Sequence, residues 1–276
     1  MANKKYEETD VQAIAVAIRE KTGSENTYNV SEMASGVNEV YDKGSVDGWG
    51  EFQNALTNNG TRETYYRAFW GSDFTGTTFN PIIYPKGIGN MFYGYIGKEL
   101  PKGIDCSRGG YEESVGQSQT APHLFAAYSP NLEYVPDFGI KACSDYSSSF
   151  RDCPKLKRIE MFRVKENSTF SLTFYSCKAL EHIRFEGVFG QNISFSHSPL
   201  DLDSLKDIIM HLKNYAGTES EYAYTLTLKA SCVTELETAE ITDEDKNLLE
   251  EKGIVVSDDT TWVTVIDNLK WNLVTA

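Results

Sequence analysis

Apolar positions recur along this chain on a fixed count. Phe150-Arg-Asp-Cys153-Pro-Lys-Leu156-Lys-Arg-Ile159 is followed by Phe174-Tyr-Ser-Cys177-Lys-Ala-Leu180-Glu-His-Ile183, four matching positions at a shift of 24. A period of this length is the mark of a leucine-rich-type solenoid, in which each unit buries its apolar face against its neighbours. Looser copies surround the good ones. Ala68-Phe69-Trp-Gly71 matches Met91-Phe92-Tyr-Gly94 at a shift of 23, and a copy beginning at Leu124-Phe125 precedes the Phe150 copy. The wider gap of 33 between Phe92 and Phe125 holds a polar, glycine-bearing run at residues 107–120, which reads as an insertion. Within a good copy, Phe, Cys and Leu point to a shared core. The Leu-x-x-Ile step leads into a strand such as Glu160-Met-Phe-Arg-Val164, whose alternation buries one face.

The flanks carry a different periodicity. Thr9-Asp-Val-Gln12 is a capping box, followed by a stripe of Val11, Ile14, Ala15 and Ile18 at helical spacing. Ser31 caps a second helix with Met33, Val37, Val40 and Tyr41 on one face, and Trp49, Phe52 and Leu56 mark a third. Toward the C-terminus, Asp201 or Asp203 caps a helix bearing Leu202, Leu205, Ile208, Ile209 and Leu212. Tyr224-Thr-Leu-Thr-Leu228 reads as a strand. Thr242 starts a helix that a Schellman-type stop ends at Gly253-Ile254. Ile254-Val-Val256 then reads as a strand, Asp258-Asp259 as the cap of a last helix through Leu269, and Trp271-Asn-Leu-Val274 as a last strand. The pattern predicts an α+β fold in three regions. Residues 1–60 form N-terminal helices for attachment or oligomerisation, residues 61–200 a leucine-rich-repeat-like β-solenoid, and residues 201–276 a C-terminal α/β repeat cap.

Charge narrows the function classes. The net charge is −14 over 276 residues with no basic stretch, and nucleic-acid binding needs clustered Lys and Arg to displace phosphate counterions. No apolar run approaches the roughly 18 residues of a membrane span, so no membrane insertion is expected. Lys4-Lys5 is followed by no apolar segment, so no secretory signal is read. The five cysteines include no CxxC pair. Cys153 and Cys177 fall on adjacent units and read as buried thiols serving as small apolar groups.

Candidate chemistry is sparse. His123, His182, His197 and His211 lack metal-ligand spacing, and the Asp201, Asp203, Asp207 and Asp243-Glu-Asp245 groups read as helix caps and faces. No Gly-x-Ser-x-Gly or P-loop occurs. No catalytic residue, metal site or cofactor is assigned, and the chain is not read as an enzyme. What remains is aromatic richness, with 16 Tyr, 14 Phe and 4 Trp. Tyr65, Tyr66, Tyr93, Tyr95, Tyr128 and Tyr134 are candidate ligand contacts, because amphipathic rings suit recognition surfaces; core filling is the alternative for each. Val11, Ile14, Ile18, Met33 and Val37 are a candidate oligomer or particle-attachment face, or pack within the chain.

The Phe-x-x-Cys-x-x-Leu-x-x-Ile copies resemble the surface-antigen (BspA-like) class of leucine-rich repeats. Ile14-Ala-Val-Ala-Ile18-Arg-Glu-Lys-Thr-Gly23, Tyr28-Asn-Val-Ser-Glu-Met33 and Tyr41-Asp-Lys-Gly44 resemble a segment of minor structural proteins of phages and prophages of Gram-positive hosts. Gly190-Gln-Asn-Ile-Ser-Phe195, Leu226-Thr-Leu228 and Trp271-Asn-Leu resemble the end of such proteins. The resemblance implies a non-enzymatic virion protein of the phage tail, baseplate or fibre, made in the bacterial cytoplasm. Its expected partners are other phage structural proteins and a host cell-surface glycan or protein, and a homo-oligomer, with a trimer favoured. A bacterial cell-surface adhesin, a purely architectural virion subunit and a tail-associated glycan hydrolase are the alternatives.

Overall fold

In a computed structural model the chain divides into two compact units, residues 1–59 and 60–276. The structure describes residues 69–83, 89–104, 123–137 and 142–276, all in the second unit. The helices expected over residues 1–60 and the polar run at 107–120 lie outside the described residues.

The core of the second unit is a column of phenylalanine rings. Phe69, Phe92, Phe125, Phe150, Phe174 and Phe195 follow one another with centroids 4.7, 5.4, 6.2, 6.2 and 4.7 Å apart. All six are buried. Five are the repeat anchors, and the sixth continues them. Cysteine repeats the same device: Cys153 Sγ donates to the Ala126 carbonyl at 3.0 Å and Cys177 Sγ to the Phe150 carbonyl at 3.1 Å, each from one copy to the one before.

The copies are joined less by strands than by turns. Each turn runs between two residues in left-handed backbone conformation, four apart: Asn90 and Gly94, Leu124 and Tyr128, Ser148 and Asp152, Leu172 and Ser176. Inside each turn the same bond closes, as in Arg151 N–H to Ser148 O and Tyr175 N–H to Leu172 O, both 3.2 Å. Between turns, Gly94, Tyr128 and Asp152 donate to the carbonyls of Ala127, Arg151 and Tyr175, each at 2.8 Å. The buried main chain is thereby satisfied without extended pairing.

The strands that do form are short and parallel. β1 (Thr78–Ile83) pairs with β2 (Lys102–Ile104). β5 (Arg158–Thr169) pairs with β3 (Tyr134–Val135), β4 (Cys143–Asp145) and β6 (His182–Glu186). β7 (Ile193–Phe195), β8 (Tyr224–Leu228) and β9 (Trp271–Thr275) form the third sheet, in that order.

This corrects the expected fold class. The nine strands among the described residues fall into three separate sheets of two, four and three strands. None closes or continues into the next, and no β-solenoid with a C-terminal repeat cap is shown. The architecture is mixed α/β. Two causes are visible. The 24-residue register Tyr134↔Arg158↔His182 slips between Ile159 and Phe162, where the pairing becomes Phe162↔Phe185. Beyond β6, a helix takes the place of the next strand. In helix α1 (Leu202–His211), Ser204 Oγ accepts from the Ile183 N–H at 3.0 Å and the Asp207 carboxylate accepts from the Phe185 N–H at 2.7 Å. Side chains of α1 thus satisfy an edge that would otherwise recruit another strand.

Three more helices follow: α2 (Ala230–Thr238), α3 (Asp243–Glu251) and α4 (Trp262–Asn268). Asp201 caps α1, accepting from the Ser204 N–H at 2.8 Å. Thr242 and Asp245 form the capping box of α3. Its C-terminus is a Schellman stop: Gly253 (φ +76°) donates to Glu250 O and Ile254 to Leu249 O. Two local expectations are corrected: residues 254–256 form no strand, and the cap of α4 is Thr261 with Thr264 rather than Asp258-Asp259. The structure adds α2, for which the sequence pattern carries no expectation.

Candidate functional site

The turns carry the site. With Phe150 and Phe174 pointing inward, the next residue of each turn points out. Arg151 is the outward residue of its turn and Tyr175 holds the equivalent position 24 residues later. Tyr93 holds it two turns before Arg151. In the intervening turn the equivalent residue, Ala127, is buried, and Tyr128 projects instead.

These side chains contact one another in a single row. Tyr93 and Tyr128 have ring centroids 5.2 Å apart. The Arg151 guanidinium lies 5.5 Å from the Tyr128 ring and 5.7 Å from the Tyr175 ring, a cation between two π systems. Tyr175 in turn meets the His197 ring edge-on at 5.1 Å. At the other end, Trp70 is 64% exposed, and a Cβ on Gly94 would lie 2.6 Å from its Cδ1. The glycine therefore serves both the left-handed turn, at φ +66°, and the seat of the indole. Tyr128 and Tyr175 are exposed, and Tyr93, Arg151 and His197 are half-buried.

Charge on the row is closed. Arg151 Nε pairs with the neighbouring Asp152 carboxylate at 3.1 Å. Elsewhere, ion pairs also run from copy to copy. Lys157 pairs with Glu133 at 2.8 Å, and Arg163 pairs with Asp137 and, at 3.0 Å, with Glu186. These exposed pairs add little stability, but they leave the strand side electrostatically balanced.

No family model, curated protein or solved structure matches the chain. The site must therefore be read from its own geometry.

A second concavity lies between α1 and α3, about 850 Å³, lined by Arg184, Asp207, Lys206, His211, Asp245 and Lys252 among others. Its charges are mostly mutually occupied. Lys206 bonds Asp245 at 2.7 Å with its ammonium 5.1 Å from the Trp262 ring, and Arg184 bonds Asp207 at 3.4 Å. Burial, which raises the Asp245 carboxyl, is outweighed by Lys206 and the Thr242 hydrogen bonds, so the group sits below the usual carboxylate range. Burial lowers the Lys252 ammonium, which donates to the Leu212 carbonyl at 3.3 Å. Among the described residues no group of three or more His, Cys, Asp or Glu could hold a metal ion. No described helix is long and apolar enough to cross a membrane.

Of the residues singled out in the sequence, Tyr93 and Tyr128 belong to the row. Tyr95 does not: it is fully buried, its hydroxyl donates to Glu99 O at 2.7 Å, and burial pushes it up to about 12. Tyr134 is half-buried on β3, next to Glu160. Tyr65 and Tyr66, and the proposed attachment residues Val11, Ile14, Ile18, Met33 and Val37, lie outside the described residues. Sequence reasoning missed Trp70, Arg151, Tyr175 and His197. The signal was present: each of the first three directly follows an anchor phenylalanine.

Proposed function

We propose that this chain is a non-enzymatic structural protein of a phage virion, associated with the tail, baseplate or fibre, and that its second unit contacts the host surface. The observation that carries the reading is the row of Trp70, Tyr93, Tyr128, Arg151, Tyr175 and His197. Trp, Tyr and Arg are the residue types that dominate binding hot spots. They supply large contact area at low conformational-entropy cost. Here they project from a backbone fixed by turn-to-turn hydrogen bonds. The resemblance of the N-terminal and C-terminal segments to phage structural proteins supports the virion setting, with residues 1–60 as the attachment region. Several copies per appendage, three by that resemblance, would multiply individually weak contacts by roughly 10²–10⁴ in avidity.

The test is retention of the purified full-length chain on walls of its bacterial host, alongside imaging of the native particle with the chain labelled. Retention on walls together with label at the tail supports the reading. Label at the tail without retention leaves an architectural subunit. Retention without any particle association favours a cell-surface adhesin.

A further inference from the structure

The shape of the row specifies what lies on it. The row is one side chain wide per turn, and each turn adds one member. The turns and their approaches also carry small polar residues, including Ser147, Ser171 and Ser176, all at least partly exposed. A protein partner of ordinary size covers about 800 Å² on each side, a broad patch with an apolar centre. A narrow repeating line instead suits a linear polymer, one unit of which meets one turn of the protein.

Charge then selects among polymers. The only formal cation on the row, Arg151, is already paired with Asp152 at 3.1 Å. The chain as a whole carries −14. A polyanion such as a nucleic acid or a teichoic acid needs uncompensated Lys and Arg, and the row provides none. What the row presents is hydroxyls, guanidinium and imidazole N–H groups, and apolar ring surface. These match a polymer of hydroxyl groups and C–H faces.

We infer that the row from Trp70 to His197 binds an uncharged, linear polysaccharide of the host wall, laid along the stack of turns. The inference rests on the host-contact reading and adds its ligand. Tyrosine hydroxyls and the free guanidinium N–H groups of Arg151 hydrogen-bond sugar hydroxyls, and the exposed parts of Trp70, Tyr128 and Tyr175 cover sugar C–H faces.

The test uses the full chain and three probes from the same wall: the neutral polysaccharide freed of phosphate-containing polymers, the teichoic acid, and peptidoglycan stripped of both. Affinity is measured for the parent and for Tyr128→Ala, Arg151→Ala and Tyr175→Ala. Val255→Ser, at a residue 86% exposed and not part of the row, is the control. Thermal midpoints establish that each variant is folded. The expected result is binding to the neutral polysaccharide alone, weakened about tenfold or more by each row variant and unchanged by the control. Binding to whole walls through teichoic acid or peptidoglycan only would overturn this inference and leave host contact standing. Failure to bind whole walls would remove host contact itself. Neutral-polysaccharide binding that the three folded row variants retain would show that the row is not the site.

Discussion

The N–H of Phe185, on the strand β6, donates to the Asp207 carboxylate of α1 at 2.7 Å. One helix turn away, Ser204 receives the Ile183 N–H in the same manner. A helix here finishes a sheet by lending side-chain acceptors. Replacing Asp207 with Ala should cost about 1–3 kcal/mol, the penalty for an orphaned buried donor. It should also expose a strand edge that promotes association. Asp207→Asn, which keeps an acceptor, should cost less. Urea denaturation measures the first effect and sedimentation velocity the second; a monomeric, fully stable Asp207→Ala protein would refute the edge-capping role.

Leu172 is half exposed yet sits at φ +57°. A left-handed conformation costs an L-residue roughly 1–2 kcal/mol, less for Asn. Leu172→Asn should therefore raise stability by about 0.5–1 kcal/mol, and Leu172→Val, with its branched Cβ, should lower it. The N–H of Tyr175 bonds the Leu172 carbonyl, not its side chain, so neither change removes the turn bond. Equilibrium unfolding of the pair reads the difference directly.

Asp245 links α3 to α1 through Lys206 while completing the capping box of Thr242. Its carboxyl lies below its ordinary value in the fold, so on acidification the unfolded chain takes up that proton first. The contribution is therefore complete above the unfolded carboxylate pKa of about 3.9 and is lost as pH falls through the folded value. Asp245→Asn should destabilise the protein near neutrality by about 1 kcal/mol, the scale of a lost cap. It should also flatten the acid limb of a stability–pH profile. An unchanged slope between wild type and variant would count against this assignment.

Cys153 and Cys177 are fully buried, and burial pushes the Cys153 thiol up to about 12 and that of Cys177 well above its ordinary value. Since the thiolate is the reactive form, both should resist iodoacetamide in the native protein and react on denaturation. Peptide mass spectrometry after pulse labelling resolves the two sites. Cys153→Ser, which can keep the bond to Ala126 O, should be tolerated better than Cys153→Asp.

Much of the second unit was legible in the chain because apolar spacing and helix caps are local signals. The Phe150 and Phe174 anchors, the capping box at Thr242 and the Gly253 stop each state their structure within a few residues. The turns were not legible. Leu124, Tyr128 and Leu172 are among the last residues one would place at positive φ; the bond that closes each turn fixes Leu124 and Leu172, and bonds to the next copy fix Leu124 and Tyr128. Nor could the pattern show that strand pairing would end at β6, since Ser204 and Asp207 lie about 20 residues downstream and read as ordinary helix residues. Four of the six row residues were overlooked for a related reason. The tyrosines were weighed as a composition, whereas Arg151 and His197 join them only through contacts between turns.

The turn backbone is secured by main-chain bonds and by inward phenylalanine and cysteine, and none of these involves the outward side chain. Successive turns already carry tyrosine, arginine and tyrosine there without altering the path of the chain. Such a surface can be rewritten residue by residue while the framework stays put. Length between anchors is tolerated as well: the rings of Phe92 and Phe125, 33 residues apart, stand 5.4 Å from one another, and those of Phe174 and Phe195, 21 apart, stand at 4.7 Å.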